Sequence, residues 1–265
     1  MNATSVGALL LCRAQPPSVR PAAHLLRERL LLAPAGPDWS VLVPEGRPWL
    51  EGGEPVDRVV AGWAGALTVG AAWPVVALWW DADRAGYVLA TGFRRPVGYT
   101  WLADGTPVGE DEAMHTFAAR LGLDPVLDVQ DLQPLTRPDK DADARTRLVG
   151  LIPVLARHGL TLPPGLAPGE PAARLAAAAQ EHGADLVERH GRPDALRAEL
   201  DAVEEGALGP WLRGPRARTL ATAQLAAGVP LLAWALTRRS AGWAAAGALL
   251  IAQGALGLTY DRLRQ

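Results

Sequence analysis

In the stretch "WWDADRAGY", Asp81, Asp83 and Arg84 stand between two apolar runs. Two carboxylates at this spacing can hold a divalent cation or divide acid and base roles, and a guanidinium beside them can receive an anion. Arg94 and Arg95 follow in "GFRRPVG" and add a second pair of cations. Both groups fall on connections of what reads as a strand meander. They therefore sit at opposite ends of the strand between them, roughly 17 Å apart. One catalytic constellation cannot span that gap. Asp and Asn-type side chains also cap tight turns by accepting backbone N–H groups, which is the plainer use of Asp81 and Asp83. An enzyme built on these two carboxylates is kept as the alternative reading.

Other reactive residue types are scattered. His182, Asp185 and His190 in "EHGADLVERHG" invite a metal reading, but Gly183 and Gly191 interrupt any helical spacing. A solvated helix end is the simpler account, and no metal or cofactor is expected. His24, His115 and His158 are isolated in the sequence. Neither a phosphate-binding glycine loop nor a serine elbow is present. Cys12 is the one cysteine, so no internal disulfide can form, and it reads as a small buried side chain on a first strand. The run before it is too short and lacks the basic start of an export signal.

Composition narrows the classes. The chain has 265 residues, of which 49% are hydrophobic and 20% charged, enough to build a sizeable core. A net charge of −2 supplies no bulk attraction to nucleic acid, and none is expected as a partner. Lys140 is the one lysine among 26 basic residues, an arginine bias that suits base composition better than phosphate binding.

The elements that must position these residues can be read from periodicity. Residues 6–13 form a buried strand, and a helix begins near Ser18 and carries Val19, Ala22, Leu26 and Leu30 at helical spacing. A second strand starts at Trp39. Val56, Val60, Trp63 and Leu67 mark a core-facing helix. Three antiparallel strands follow over 74–102, with Gly86 available to the turn after "PVVALWW". A helix over 110–121 ends at Gly122. Later helices are expected over 141–158, kinked or split by Pro153, then over 171–182 and 193–205. Trp79, Trp80, Tyr87, Tyr99 and Trp101 concentrate on the meander. Trp79 and Trp80 must point to opposite faces. Packing is the first reading of this aromatic set. If a face were left uncovered, these residues together with Arg84, Arg94 and Arg95 would form a partner surface.

The C-terminal quarter raises a different prospect. Residues 219–237 and 240–260 carry no formal charge, and each run is long enough as a helix to match the roughly 30 Å hydrocarbon layer. Trp234 and Trp243 flank Arg238 and Arg239, and Tyr260 lies at the far end, as interfacial residues do. Arg213, Arg216 and Arg218 precede the first run and favour a cytoplasmic near side.

The expected fold is therefore α+β: a mixed domain over 1–135 with a three-stranded antiparallel meander and flanking helices, a helical region with a Pro/Gly linker over 136–210, and a two-helix transmembrane hairpin over 211–265. The expected function is a non-catalytic interaction or regulatory protein tethered to the cell membrane by two spans, with both termini cytoplasmic. Its partners would be the lipid bilayer and a further protein. A membrane-acting defence effector whose hairpin is the active part is a third possibility.

Overall fold

A computed structural model describes residues 6–188. Its centre is β1 (Gly7–Cys12), a fully buried strand. The helix α1 (Pro16–Leu25) follows, then β2 (Leu30–Pro34), β3 (Ser40–Pro44), the short α2 (Pro48–Gly52) and α3 (Val56–Thr68). The meander is β4 (Val75–Trp80), β5 (Arg84–Ala90) and β6 (Val97–Leu102), extended by β7 (Pro107–Val108). Four helices come next: α4 (Asp111–Leu121), α5 (Leu127–Thr136), α6 (Ala144–Arg157) and α7 (Ala172–Glu181). Finally β8 (Asp185–Val187) returns to the sheet.

The eight strands among the described residues join one sheet in the order β7-β6-β5-β4-β1-β3-β2-β8, and every pairing is antiparallel. Register places Leu9 opposite Leu78 and Leu10 opposite Leu42. Side chains of a strand alternate between faces, and both faces here are covered. Leu9, Leu11, Val76, Leu78 and Trp80 face one core, with Phe117, Leu132, Leu148, Leu151, Leu155 and Leu175 of α4 to α7. Ala8, Leu10, Cys12, Val75, Ala77 and Trp79 face the other, with Val19 of α1 and Val60, Trp63 and Leu67 of α3. Double coverage explains why the central strands are near-continuous apolar runs without a polar alternate. Helices on both sides of position 135 contribute to one core.

Several expectations are corrected. The fold is an eight-stranded antiparallel sheet with helices on both faces, not a three-stranded meander with flanking helices. The meander, with β7, is one half of it. β2 stands where the sequence suggests the end of the first helix: α1 stops at Leu25, Arg27 takes φ 59°, and Leu30, Leu31 and Leu32 pair with β3. Leucine suits either state, and only the open edge of β3 selects the strand. The transmembrane hairpin is also absent from the described fold. No helix among the described residues is long and apolar enough to cross a membrane. Residues 211–265 lie outside the described residues, and with them Arg213, Arg216, Arg218, Trp234, Arg238, Arg239, Trp243 and Tyr260.

Two smaller differences have local causes. Pro153 lies within α6, which continues through it as one helix. Pro153 and Val149 are both on the solvent face, so the carbonyl that loses its helical partner there can be hydrated. Gly86 lies inside β5, opposite Trp79, and makes no turn. A Cβ there would lie 2.7 Å from the Trp79 ring and 2.4 Å from the Tyr99 carbonyl oxygen, so glycine is what lets the indole lie on the strand.

Candidate functional site

The β4–β5 turn uses its carboxylate structurally. Asp81 Oδ1 accepts the backbone N–H of Asp83 at 2.9 Å and of Arg84 at 2.8 Å. Arg84 in turn lies 3.5 Å from Asp57 and 3.7 Å from Asp81, with its guanidinium 5.4 Å from the Trp79 ring centroid. Asp81 is thus a turn cap paired to a cation, and Asp83 stands exposed beside it. The pair does not converge on a cleft.

The aromatic candidates are core. Trp79, Trp80, Tyr87, Tyr99 and Trp101 are all buried, and Trp79 and Trp80 face the two opposite cores. Tyr87 packs its ring, tilted by 53°, 4.6 Å from that of Phe117 of α4, and Tyr99, tilted by 50°, 5.3 Å from that of Trp101. Trp101 Nε1 donates to the Leu135 carbonyl at 2.7 Å, and Trp80 Nε1 to that of Glu170 at 3.2 Å. These residues bind helices to the sheet and offer no partner surface, because α4 to α7 cover the face of Trp80, Tyr87, Tyr99 and Trp101, and α1 and α3 cover that of Trp79. Burial pushes the Tyr87 hydroxyl and the Cys12 thiol far above their usual ranges, so neither ionises near neutrality.

Arg94 and Arg95 do reach solvent, on the β5–β6 connection, and between β5 and Arg94 stands Phe93, 87% exposed. The connection is held at both ends: Arg94 N–H donates to the Thr91 carbonyl at 3.2 Å, and Arg120 Nη1 to the Arg95 carbonyl at 2.7 Å. Arg13, at the end of β1, donates to the Leu121 carbonyl at 2.6 Å. Arg13 thereby bonds the last carbonyl of α4, and Arg120 lies in the last turn of the same helix, where the macrodipole favours cations. The register of β4 with β5 places Val69, after α3, at this same end of the sheet. The loop after α4 adds Val126, and the start of α5 adds Leu127. These three apolar side chains are 64%, 59% and 64% exposed.

The opposite end of the sheet has the opposite sign. There the loops 81–83, 103–106 and 139–143 lie together: Ala103 N–H donates to the Asp83 carbonyl, and a Cβ on Gly105 would lie 1.7 Å from the Ala142 oxygen. They carry Asp81, Asp83, Asp104, Asp139, Asp141 and Asp143, with Lys140 as the cation within those loops.

A second polar cluster has no signature in the sequence. Asp128, 2% exposed on α5, accepts from Arg157 Nη2 at 2.6 Å and Nε at 2.9 Å, from the Asp124 N–H at 2.7 Å, and bonds His158 Nε2 at 2.5 Å. Burial opposes its charge, but the bonds from His158, Arg157 and Asp124 outweigh it and hold the pKa down at about 2. A His–Asp pair could relay protons. Here Trp39 donates to the His158 carbonyl at 2.9 Å, and both carboxylate oxygens are occupied. The cluster ties α5 to the end of α6 and is structural. Arg147 is similarly engaged: fully buried, it donates to the carbonyls of Pro134, Leu135 and Arg137 at 2.7–3.0 Å.

A recess between α4 and α5, lined by Asp111, His115, Gln133 and Thr136 among others, has a volume of about 70 Å³. Ligand pockets run to roughly 300–1,000 Å³, so it suits water. No group of three metal-ligating side chains exists among the described residues. Asp185 of the suggested metal set is paired with Arg20, His182 Nδ1 bonds the Ala178 carbonyl, and His190 lies outside the described residues. Compared with known proteins, the chain matches no family model, no curated protein and no solved structure.

Proposed function

We propose that this chain is a non-catalytic interaction or regulatory module that works at the cytoplasmic face of a membrane, with the β5–β6 connection as its contact surface. The observation that carries this reading is Phe93. A phenylalanine exposed to 87%, flanked by the exposed Arg94 and Arg95 and fastened by Arg120, is a costly feature with no packing role. Rigid sheets commonly present binding residues on such connections. Association with a membrane is supported separately by the long uncharged runs over 219–237 and 240–260 and the arginines around them.

Fractionation tests the membrane half. The full-length chain should pellet with membranes, resist a high-salt wash and be released by detergent. A full-length chain that remains in the supernatant, folded and monodisperse, refutes it. Cross-linking tests the contact half: a photoreactive residue at position 93 should capture a membrane component, and the same residue at exposed Gln130 on α5 should not.

A further inference from the structure

We infer that the Phe93–Arg94–Arg95 corner docks on an anionic lipid surface, with the phenylalanine ring entering the headgroup boundary and the arginines meeting lipid phosphates. This deepens the contact surface of the preceding section and rests on that reading. Three observations select lipid. The corner combines cations with exposed apolar side chains: Arg94 and Arg95 beside Phe93, Arg13 and Arg120 behind them, and Val69, Val126 and Leu127 at the same end. Charge alone would suit an acidic polypeptide, but the exposed Phe93 ring also calls for an apolar phase. A bilayer interface satisfies both at once.

The second observation is polarity across the module. The acidic loops 81–83, 103–106 and 139–143 lie at the far end of β5, a strand of seven residues, roughly 20 Å away. On a negatively charged surface this arrangement turns the arginine end inward and the aspartates outward. The third concerns carboxylates close to the corner. Asp124 accepts the N–H groups of Val126 and Leu127 at 2.8 Å, while Asp128 and Asp131 are both paired with Arg157. Asp38 is on the β2–β3 turn, three strands from β5 and roughly 14 Å off. None of them neutralises Arg94 or Arg95.

Phe93→Cys in the full-length chain, labelled with an environment-sensitive fluorophore, tests this. Cys12 is buried with a raised thiol pKa and should stay unlabelled, which the unsubstituted chain controls. On vesicles of phosphatidylcholine with phosphatidylglycerol, the emission should shift to the blue and at least double. On phosphatidylcholine alone, or at high salt, it should not. Adding Arg94→Ala and Arg95→Ala should weaken tip engagement roughly 30-fold, the loss of two basic residues at an anionic surface. Both positions are exposed, so these variants fold.

A label that remains in water on anionic vesicles, or responds equally on neutral ones, overturns the inference. So does a label that responds to polyglutamate and not to lipid, which would assign an acidic protein instead. The two readings fail separately. A chain that does not pellet with membranes but whose tip still enters added anionic vesicles sinks the tether alone. A chain that pellets while its tip stays wet sinks the lipid-docking corner alone.

Discussion

Replacing Asp128 by asparagine keeps the shape of the side chain and removes the charge that holds α5 to the end of α6. At neutral pH the carboxylate receives two bonds from Arg157, one from His158 and one from the Asp124 N–H. Lowering its pKa from the ordinary 3.8 to about 2 is worth about 2 kcal/mol in favour of the folded state. Arg157 is 44% exposed and recovers water when its partner is neutralised, so the full cost of a stranded buried charge does not apply. The variant should therefore lose about 2 kcal/mol at pH 7, read from the urea midpoint at unchanged slope. Because the folded pKa is depressed, this contribution is complete above about pH 4 and is lost as pH falls toward 2. Roughly half should remain at pH 3, so the gap between the two proteins should narrow to about 1 kcal/mol there. A difference below about 0.5 kcal/mol at pH 7, or one that does not shrink on acidification, refutes the account of the clamp.

Two further perturbations test the packing that carries the candidate surface. Arg147→Met should cost about 3 kcal/mol in urea unfolding, since the carbonyls of Pro134 and Arg137 lose a charged donor while Leu135 keeps Trp101; a variant as stable as the parent would mean the buried cation is a net burden. Gly36→Ala puts a Cβ 2.0 Å from the Gly159 carbonyl at φ 116° and should lower the thermal midpoint far more than Gly46→Ala, which at φ 81° meets nothing within 4 Å and should cost about 1 kcal/mol; equal effects would mean that the loop beside α6 gives way freely.

How much of this could be read without coordinates differs from residue to residue. The meander was legible because strands buried on both faces leave an unbroken apolar run, and "PVVALWW" is one. Opposite orientation of Trp79 and Trp80 follows from the two-residue repeat alone. α3 and α4 were legible because their apolar residues keep helical spacing, with Gly122 closing α4 in the left-handed region. α5 was not, because Pro134 breaks its pattern and few of its residues are buried. β7 and β8, two and three residues long, carry too little pattern to be seen and are strands only through their neighbours. Of the candidate contact residues, Arg94 and Arg95 were visible as a cation pair on a turn. Phe93, immediately before them, carries no such signal, since exposure cannot be told from residue type.

Local sequence determines what a segment can become: which runs prefer alternation, where a helix starts and stops, that Cys12 has no partner, and that the last quarter holds two long uncharged stretches. Tertiary structure decides which of those possibilities is used. Leu30–Leu32 become a strand because β3 offers an unpaired edge, and Trp80, Tyr87, Tyr99 and Trp101 become core because helices from beyond residue 110 cover them. Asp128, Arg157 and His158 meet because α5 and α6 pack, and Arg13 reaches the Leu121 carbonyl because β1 ends beside α4. The reason is physical: periodicity is a property of neighbours along the chain, whereas burial and charge pairing depend on residues far apart in sequence, and these become neighbours only once the layers close.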